Sequence, residues 1–263
     1  MAACHGTVFQ IAPNARIIDI THLVPPGDIR RGAAVLAQTV PYLPRAVHVA
    51  VVDPGVGTAR RGIAVAAASG SVFVGPDNGL LVWAIEASGG PVAAVSLTNK
   101  NLWRDAVTAT FHGRDIFMPV AAHLVAGAPF DAAGSPLDVS DLVALPRPAS
   151  RVSGPVASGE VLTVDRFGNV QLSIAAADAA AAGAVAGDTV RLRSLSPEPV
   201  DVVVPFGRTF SDVPKGHLVA YPDSAGLIAI AVNGGDAVRQ LSLQPGAPIT
   251  LTTNDKCRSI TDH

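Results

Sequence analysis

The chain has little cysteine, little charge and few aromatic residues. Its two cysteines, Cys4 and Cys257, lie near opposite ends of 263 residues and outside any Cys-x-x-Cys spacing, which argues against a disulfide framework or a zinc site. Charged residues make up 15 %, the net charge is -2, and no basic patch carries interleaved aromatic residues, so we expect no nucleic-acid partner. The alanine-rich stretch 175–187 is interrupted by Asp178 and two glycines, which argues against a membrane span.

The amino terminus lacks the basic start and the long apolar core of a secretory signal. We therefore expect a cytoplasmic protein with no membrane partner. Hydrophobic residues make up 49 %, which is typical of a globular chain and not of a disordered one. A chain of 263 residues is long enough to bury the core of one or two domains.

Strands alternate with helices in the first half of the sequence. The apolar patterns predict helices after Asp28, from Leu80 to Ile85 and from about Arg114, with Asp28 and the turn 77–79 as helix caps. They predict strands at 16–21, 47–52, 62–67, 72–74 and 93–97. This alternation indicates a Rossmann-like layered α/β domain over residues 1–145.

The second half of the sequence has a different pattern of apolar segments and turns. Residues 146–155 are rich in proline and serine and are predicted to form an interdomain linker. Short β-type segments follow, separated by Gly, Pro and Asp turns, at 159–165, 169–174, 188–193, 200–205, 217–221, 226–232 and 248–253. This pattern predicts a mainly antiparallel, β-barrel-like domain over residues 156–263.

An acidic glycine turn with two arginines follows the apolar run 47–52. In an open α/β sheet, ligands bind beyond the carboxyl ends of the strands, which makes Asp53 and Arg60 candidate site residues together with His112. An Asp or a His can accept a proton from water while an Arg stabilises the negative charge. The alternative is that Asp53 caps a turn, Arg60 makes a surface ion pair and His112 only begins a helix.

The segment Asp165-Arg166-Phe167-Gly168-Asn169 joins two apolar strands. Turn chemistry alone accounts for its Asp, Gly and Asn. The functional interpretation gives Asp165 a cationic ligand group and Asn169 the hydrogen-bonding edge of a base. Phe210 is suited either to stacking on an aromatic ligand or to core packing.

Several long motifs, in order, resemble the S-adenosyl-L-methionine hydroxide adenosyltransferases, which are relatives of fluorinating and chlorinating enzymes that use the same substrate. The motifs extend over residues 5 to 253 and comprise the segments 13–22, 24–28, 52–58, 75–79, 110–115 and 165–169. The resemblance implies an α/β domain, a β-barrel-like domain and a homotrimer with sites between neighbouring subunits. It also implies attack of water or hydroxide on the ribose 5′-carbon, which releases adenosine and L-methionine without a cofactor or a metal.

The resemblance further assigns roles to individual residues. Asp53, Arg60 and His112 match the catalytic set that holds the water, a set that the halogenating relatives lack. Asp165 would contact the methionine ammonium and Asn169 the adenine edge. The remaining substrate contacts would be apolar or stacking walls at Phe167 and Phe210, the methionine carboxylate at Ser224, and a strand whose backbone meets adenine at Val232, Asn233 and Gly234.

The chain departs from the family pattern at two places. Ala225 stands where the halogenating relatives carry an Arg, so carboxylate recognition there would rest on Ser224 and backbone amides. Family members also normally begin with a strand and a Thr-Asp-Phe-Gly-like segment that grips the ribose, and this chain starts after that position. A sheet without that strand has an exposed edge or a gap in its core, which predicts lower stability.

These departures leave two alternatives to hydrolysis open. One is a catalytically silent protein that binds S-adenosyl-methionine or adenosine. The other is a halide-dependent adenosyl transferase, which the acidic set around Asp53 disfavours. A metal-dependent hydrolase has less support still, because Asp53 and His112 have no further clustered metal ligands in the sequence.

Overall fold

The computed structural model describes residues 1–195 and 198–253. Cys257, the second of the two cysteines in the sequence, lies outside the described residues. The chain divides into two compact units, and the division falls between Pro146 and Arg147.

The first unit is a mixed α/β structure, which confirms the predicted class. Its five strands are β1 (Val47–Val49), β2 (Gly62–Ala67), β3 (Val72–Pro76), β4 (Pro91–Ser96) and β5 (Ser135–Leu137). They lie in the order β1-β3-β2-β4-β5, with β1 and β3 parallel and the other pairs antiparallel. The helices are α1 (Ala2–Ile11), α2 (Ile29–Thr39), α3 (Val82–Ala87) and α4 (Met118–Val125).

Local signals explain most of these elements. Asp28 caps α2 as predicted, because its carboxylate accepts a hydrogen bond from the Arg31 amide at 3.0 Å. The apolar face of α2 is buried at Ala33 and Leu36, and so is Val40, which directly follows the helix. The helix predicted from about Arg114 starts as a π-helical turn over Gly113–Phe117 and continues as α4, and its Phe117 and Val120 are fully buried in the core.

The strand predicted at 16–21 is wrong. This segment has no regular secondary structure and pairs with no strand in the part of the chain that the structure describes, and Ile18 is 61 % exposed. A cleft of about 430 Å³ is lined both by Ala15–His22 and by Val47–Val49 of β1. The strand predicted at 47–52 is also shorter, because β1 ends at Val49.

The second unit is an antiparallel sheet that is nearly closed into a barrel, as predicted. Its strands are β6 (Arg151–Ser153), β7 (Val156–Val164), β8 (Val170–Ala175), β9 (Thr189–Ser194), β10 (Val200–Pro205), β11 (Leu218–Pro222), β12 (Leu227–Val232) and β13 (Pro248–Thr253). The sheet order is β10-β9-β13-β7-β8-β12-β11, and a bridge between Phe206, just after β10, and Ala220 of β11 brings the two ends together.

Two short helices, α5 (Ala176–Ala181) and α6 (Ala237–Leu241), complete this unit. The stretch predicted as linker contains β6, which pairs with β7 and therefore belongs to the second unit. Strand β6 is only three residues long and all three residues are exposed. No alternation of buried and exposed positions therefore marks it as a strand in the sequence. No helix among the described residues has the length and apolarity needed to cross a membrane.

Candidate active site

Asp53 stands where the chain turns after β1. The Val56 amide donates to the Asp53 carbonyl at 3.3 Å, and the Thr58 amide donates to the Gly55 carbonyl at 3.1 Å, so the acidic segment folds back on itself. Gly57 has a φ of +79°. A Cβ at this position would lie 2.7 Å from the Ala109 carbonyl oxygen, so both the conformation and the close approach require glycine.

The turn brings Arg60 onto Asp53. Arg60 Nε donates to the two Asp53 carboxylate oxygens at 2.9 and 3.0 Å, and Arg60 Nη2 donates to Oδ2 as well. The pair is largely removed from water, since the side chains are 12 % and 5 % exposed. The Arg60 guanidinium also lies 5.1 Å from the centre of the Phe117 ring. The alternative of a surface ion pair is therefore wrong for Arg60.

His112 completes the set from 52 residues further along the chain. It stands just before the π-helical turn, and its Nδ1 lies 3.1 Å from Arg60 Nη2. The structure thus joins the three residues proposed for the water site, with Arg60 between the carboxylate and the imidazole. We refer to Asp53, Arg60 and His112 as the triad.

The contact with Arg60 fixes the tautomer of His112. A guanidinium has only donors, so Nδ1 accepts this hydrogen bond and the neutral ring carries its proton on Nε2. Burial lowers the pKa of His112 below its ordinary value, and the Arg60 charge lowers it further against the opposing effect of Asp53 and Asp115. His112 is therefore a neutral ring at neutral pH, with Nε2–H as its remaining polar group.

A cavity of about 760 Å³ lies beside the triad, and a volume of this size suits a small molecule. Asp53 and His112 both line it. Its other walls include Thr21, His22, the 24–27 turn, Val49 at the end of β1 with the three residues that follow it, and Thr110 with Phe111.

Two residues that the sequence offered as helix caps have other roles. Asn78 Nδ2 donates to the Val52 carbonyl at 2.9 Å and so fixes the backbone next to Asp53. Asp77 is buried, and it accepts hydrogen bonds from Arg61 Nε at 2.9 Å and from the Val143 amide at 2.9 Å. The prediction of a cap at Asp77 is therefore wrong, because this carboxylate pairs with Arg61, the residue before β2, and α3 begins only at Val82.

In the second unit, the segment 165–169 is the hairpin between β7 and β8. Asp165 Oδ1 accepts from the amides of Phe167 and Asn169 at 2.8 and 3.0 Å, and Oδ2 accepts from Asn169 Nδ2 at 2.8 Å. These contacts are the turn chemistry that was one of the two interpretations of the motif. A ligand role for Asp165 and Asn169 stays a prediction.

The other predicted substrate contacts lie at exposed turns and at one strand end of this unit. Phe167 and Phe210 are 62 % and 51 % exposed, so neither is a core residue. Ser224 lies in the β11–β12 turn, where Asp223 Oδ1 accepts from the amides of Ala225 and Leu227. The Val232 side chain is buried, which leaves only its backbone for a ligand, and Gly234 follows with a φ of +69°.

Tyr221 is a residue that the sequence reasoning missed. Burial raises the pKa of its phenol, and the charges of Asp223 and Asp165 raise it further. The only sequence signal is its place two residues before Asp223, which is too weak to identify it. Within the described ranges, no three His, Cys, Asp or Glu side chains are grouped so as to hold a metal ion.

Two family profiles cover most of the chain. The SAM hydroxide adenosyltransferase N-terminal domain matches residues 1–134, and the C-terminal domain of the same family matches residues 159–250. The chain belongs to the SAM hydroxide adenosyltransferase family.

The chain is also similar to individual proteins of this family and to more distant relatives. The (R)-S-adenosyl-L-methionine hydrolase of Salinispora arenicola is 54 % identical, over 96 % of this chain and 92 % of the relative. A fluorinase from an Actinoplanes species is 29 % identical over 96 % of this chain and 92 % of its own. The crystal structure of an uncharacterized conserved protein from Thermotoga maritima is 36 % identical, with a TM-score of 0.87 over 95 % of this chain and 94 % of that one.

Proposed function

We propose that the protein hydrolyses S-adenosyl-L-methionine to adenosine and L-methionine. The observation that carries the proposal is the hydrogen-bonded triad, two of whose members, Asp53 and His112, line a cavity of small-molecule size. The name of the Salinispora relative, at 54 % identity over nearly the whole chain, supports the same substrate.

The reaction is a displacement at the ribose 5′-carbon. The oxygen of water forms a bond to this carbon, the carbon–sulfur bond breaks, and its electron pair stays on sulfur, which leaves as a neutral thioether. Because the sulfonium is already an activated leaving group, we propose that no cofactor takes part. What the protein must supply is an oriented water in a site from which bulk solvent is excluded.

The geometry of the triad favours Asp53 as the proton acceptor. His112 Nδ1 is occupied by Arg60 and its Nε2 carries a proton, so the ring has no free acceptor. The Asp53 carboxylate keeps lone pairs that Arg60 does not use, since each oxygen accepts more than one hydrogen bond. We propose that Asp53 takes the proton, that His112 Nε2–H orients the water oxygen, and that Arg60 holds both side chains in place.

The configuration at the sulfonium sulfur specifies the proposed substrate further. The L prefix fixes the amino-acid carbon, so the (R) in the name of the Salinispora relative describes the sulfonium centre. We propose the same preference for this protein. Assays with the separate sulfonium epimers test it, and equal kcat/KM for the two epimers contradicts it.

We propose the binding roles in the second unit as the family resemblance gives them. Asp165 meets the ammonium group, Asn169 and the backbone of 232–234 meet adenine, Ser224 meets the carboxylate, and Phe167 and Phe210 form walls. The exposure of the two Phe rings supports this proposal, because exposed aromatic rings are available to a ligand.

We also propose a cytoplasmic homotrimer in which neighbouring subunits complete each site. Large apolar side chains exposed on the first unit support an assembly, among them Ile18 at 61 %, Leu23 at 65 % and Tyr42 at 80 %. Light scattering during size-exclusion chromatography tests the assembly, and a mass three times that of the chain is expected.

The direct test is incubation with S-adenosyl-L-methionine, with adenosine measured by chromatography in the presence and absence of excess chloride or fluoride. Hydrolysis gives adenosine at a rate that halide does not change. A halogenated adenosine would instead identify a halide-dependent transferase. Saturable binding in calorimetry without any product would identify a binding protein.

Activity is expected to fall on the acid side only below about pH 6.5, the ordinary pKa of histidine. The pKa of His112 is lower than that value, and a second ring proton on Nδ1 would face the Arg60 donor and break the triad. The pH profile of kcat/KM checks this. Replacing the partly exposed His123 of α4 with Gln is the control, and its profile should match that of the parent. An acid limb centred above pH 7 would contradict the tautomer assigned here.

A further inference from the structure

Asp115 is a buried carboxylate with no part in the proposed chemistry. It is fully buried, and it accepts four hydrogen bonds, from Arg114 Nε at 2.6 Å, Arg114 Nη2 at 2.9 Å, the Thr108 amide at 2.9 Å and Thr108 Oγ1 at 2.7 Å. Arg114 and the two Thr108 donors hold the pKa of this carboxyl well below its usual range, against the opposing effect of burial. Asp115 is thus a fixed negative charge.

The backbone of Asp115 holds the same loop, residues 104–111, at two more points. The Arg104 amide donates to the Asp115 carbonyl at 3.0 Å, and the Asp115 amide donates to the Phe111 carbonyl at 3.0 Å. The side chain holds Thr108 in the middle. Asp115 therefore forms hydrogen bonds to the start, the centre and the end of the loop at 104–111. His112 is the residue that follows this loop.

The loop also contacts the turn that carries Asp53. The Ala109 carbonyl lies against Gly57, so close that a Cβ on Gly57 would be 2.7 Å from its oxygen. The loop at 104–111 therefore sits against the Asp53 turn on one side and leads into His112 on the other.

We propose that Asp115 is a positioning residue that, through Thr108 and the loop at 104–111, holds His112 Nδ1 against Arg60. This inference deepens the proposed function, on which its kinetic consequence rests. The alignment itself is a property of the chain that exists with or without substrate. A misplacement of about 1 Å in a catalytic group lowers rates by about 10²-fold.

The first readout is the pKa of His112, measured by NMR titration of its imidazole, which needs no turnover. Thr108→Val removes one hydrogen bond to Asp115 without changing any charge, so Arg60, Asp53 and Asp115 still face the ring. Loss of alignment takes the Arg60 donor away from Nδ1, and we expect the pKa of His112 to rise toward its ordinary value. Thr108→Ser keeps the hydroxyl and is expected to restore the parent pKa.

The second readout is kcat, measured on folded protein well below the melting temperature of each variant. We expect kcat to fall about 10-fold in Thr108→Val and about 100-fold in Asp115→Asn. Asp138 is a matched control, because it also accepts from an amide and a hydroxyl of one residue, Ser140, at 2.8 and 2.7 Å, but on the exposed surface. Asp138→Asn and Ser140→Ala should keep kcat within about twofold.

The outcomes separate this inference from the proposed function. If the parent protein forms no adenosine, the proposed function fails, and the NMR titration still decides whether Thr108 aligns His112. An unchanged pKa of His112 in Thr108→Val overturns the positioning role. So does a parent-like kcat in folded Asp115→Asn when the parent protein turns over substrate.

Discussion

Asp53→Asn is expected to lower kcat by about 10²- to 10⁴-fold, the range that a positioned proton acceptor contributes. The asparagine amide has nearly the same shape but cannot take a proton from water. In the parent protein, Arg60 Nε donates to the two carboxylate oxygens of Asp53 at 2.9 and 3.0 Å. In the variant, the Nδ2 donors of the asparagine would face these Arg60 donors. Steady-state kinetics on the purified variant, with the melting temperature measured in parallel, check the expectation.

Asp201 provides a matched control for this substitution. It is also held by an arginine fork, with Arg191 Nε at 2.5 Å and Nη2 at 2.9 Å from its two oxygens, but its side chain is 47 % exposed and lies in the second unit. Asp201→Asn is expected to leave kcat unchanged. Parent-like turnover in Asp53→Asn would remove Asp53 from the mechanism.

Arg60→Met is expected to abolish measurable turnover and to lower the free energy of unfolding by about 3–5 kcal/mol. The substitution leaves the Asp53 carboxylate, only 5 % exposed, without its cation, and an uncompensated buried charge costs about this much. It also takes the donor from His112 Nδ1, so the imidazole loses both its fixed tautomer and its position. Urea unfolding and the adenosine assay measure the two effects.

The double variant Asp53→Asn/Arg60→Met separates stability from catalysis. It removes both charges, so most of the lost stability is expected to return while turnover stays absent. Arg191→Met, at an exposed pair, should change the free energy of unfolding by less than about 1 kcal/mol. If Arg60→Met unfolds no more easily than Arg191→Met, the Asp53–Arg60 pair is not the buried pair described above.

The sequence was informative where structure depends on neighbours along the chain. Helix α2 was predictable because Asp28 and the spacing of its apolar residues are local signals. The strands of the second unit were predictable because Gly, Pro and Asp turns mark their ends. The segment 16–21 was mispredicted because its pattern fits a strand, whereas strand formation requires a partner at hydrogen-bonding distance.

The candidate site was likewise predictable only where its residues are close together in the sequence. Asp53 and Arg60 share one turn, so their proximity was a reasonable expectation, but 52 residues separate Arg60 from His112 and no spacing rule joins them. The order of motifs and their family resemblance pointed to the set of three. Which nitrogen of His112 accepts from Arg60, and how Asp115 fastens the preceding loop, depend on side-chain contacts that a sequence pattern does not contain.

The most direct test of the account is mass spectrometry of adenosine formed from S-adenosyl-L-methionine in water enriched in ¹⁸O, with the parent protein and Asp53→Asn in parallel. The account predicts that the parent produces adenosine with one ¹⁸O atom at the 5′-position and that Asp53→Asn produces almost none. Adenosine without the label, no adenosine from the parent, or equal labelled product from both proteins would contradict it.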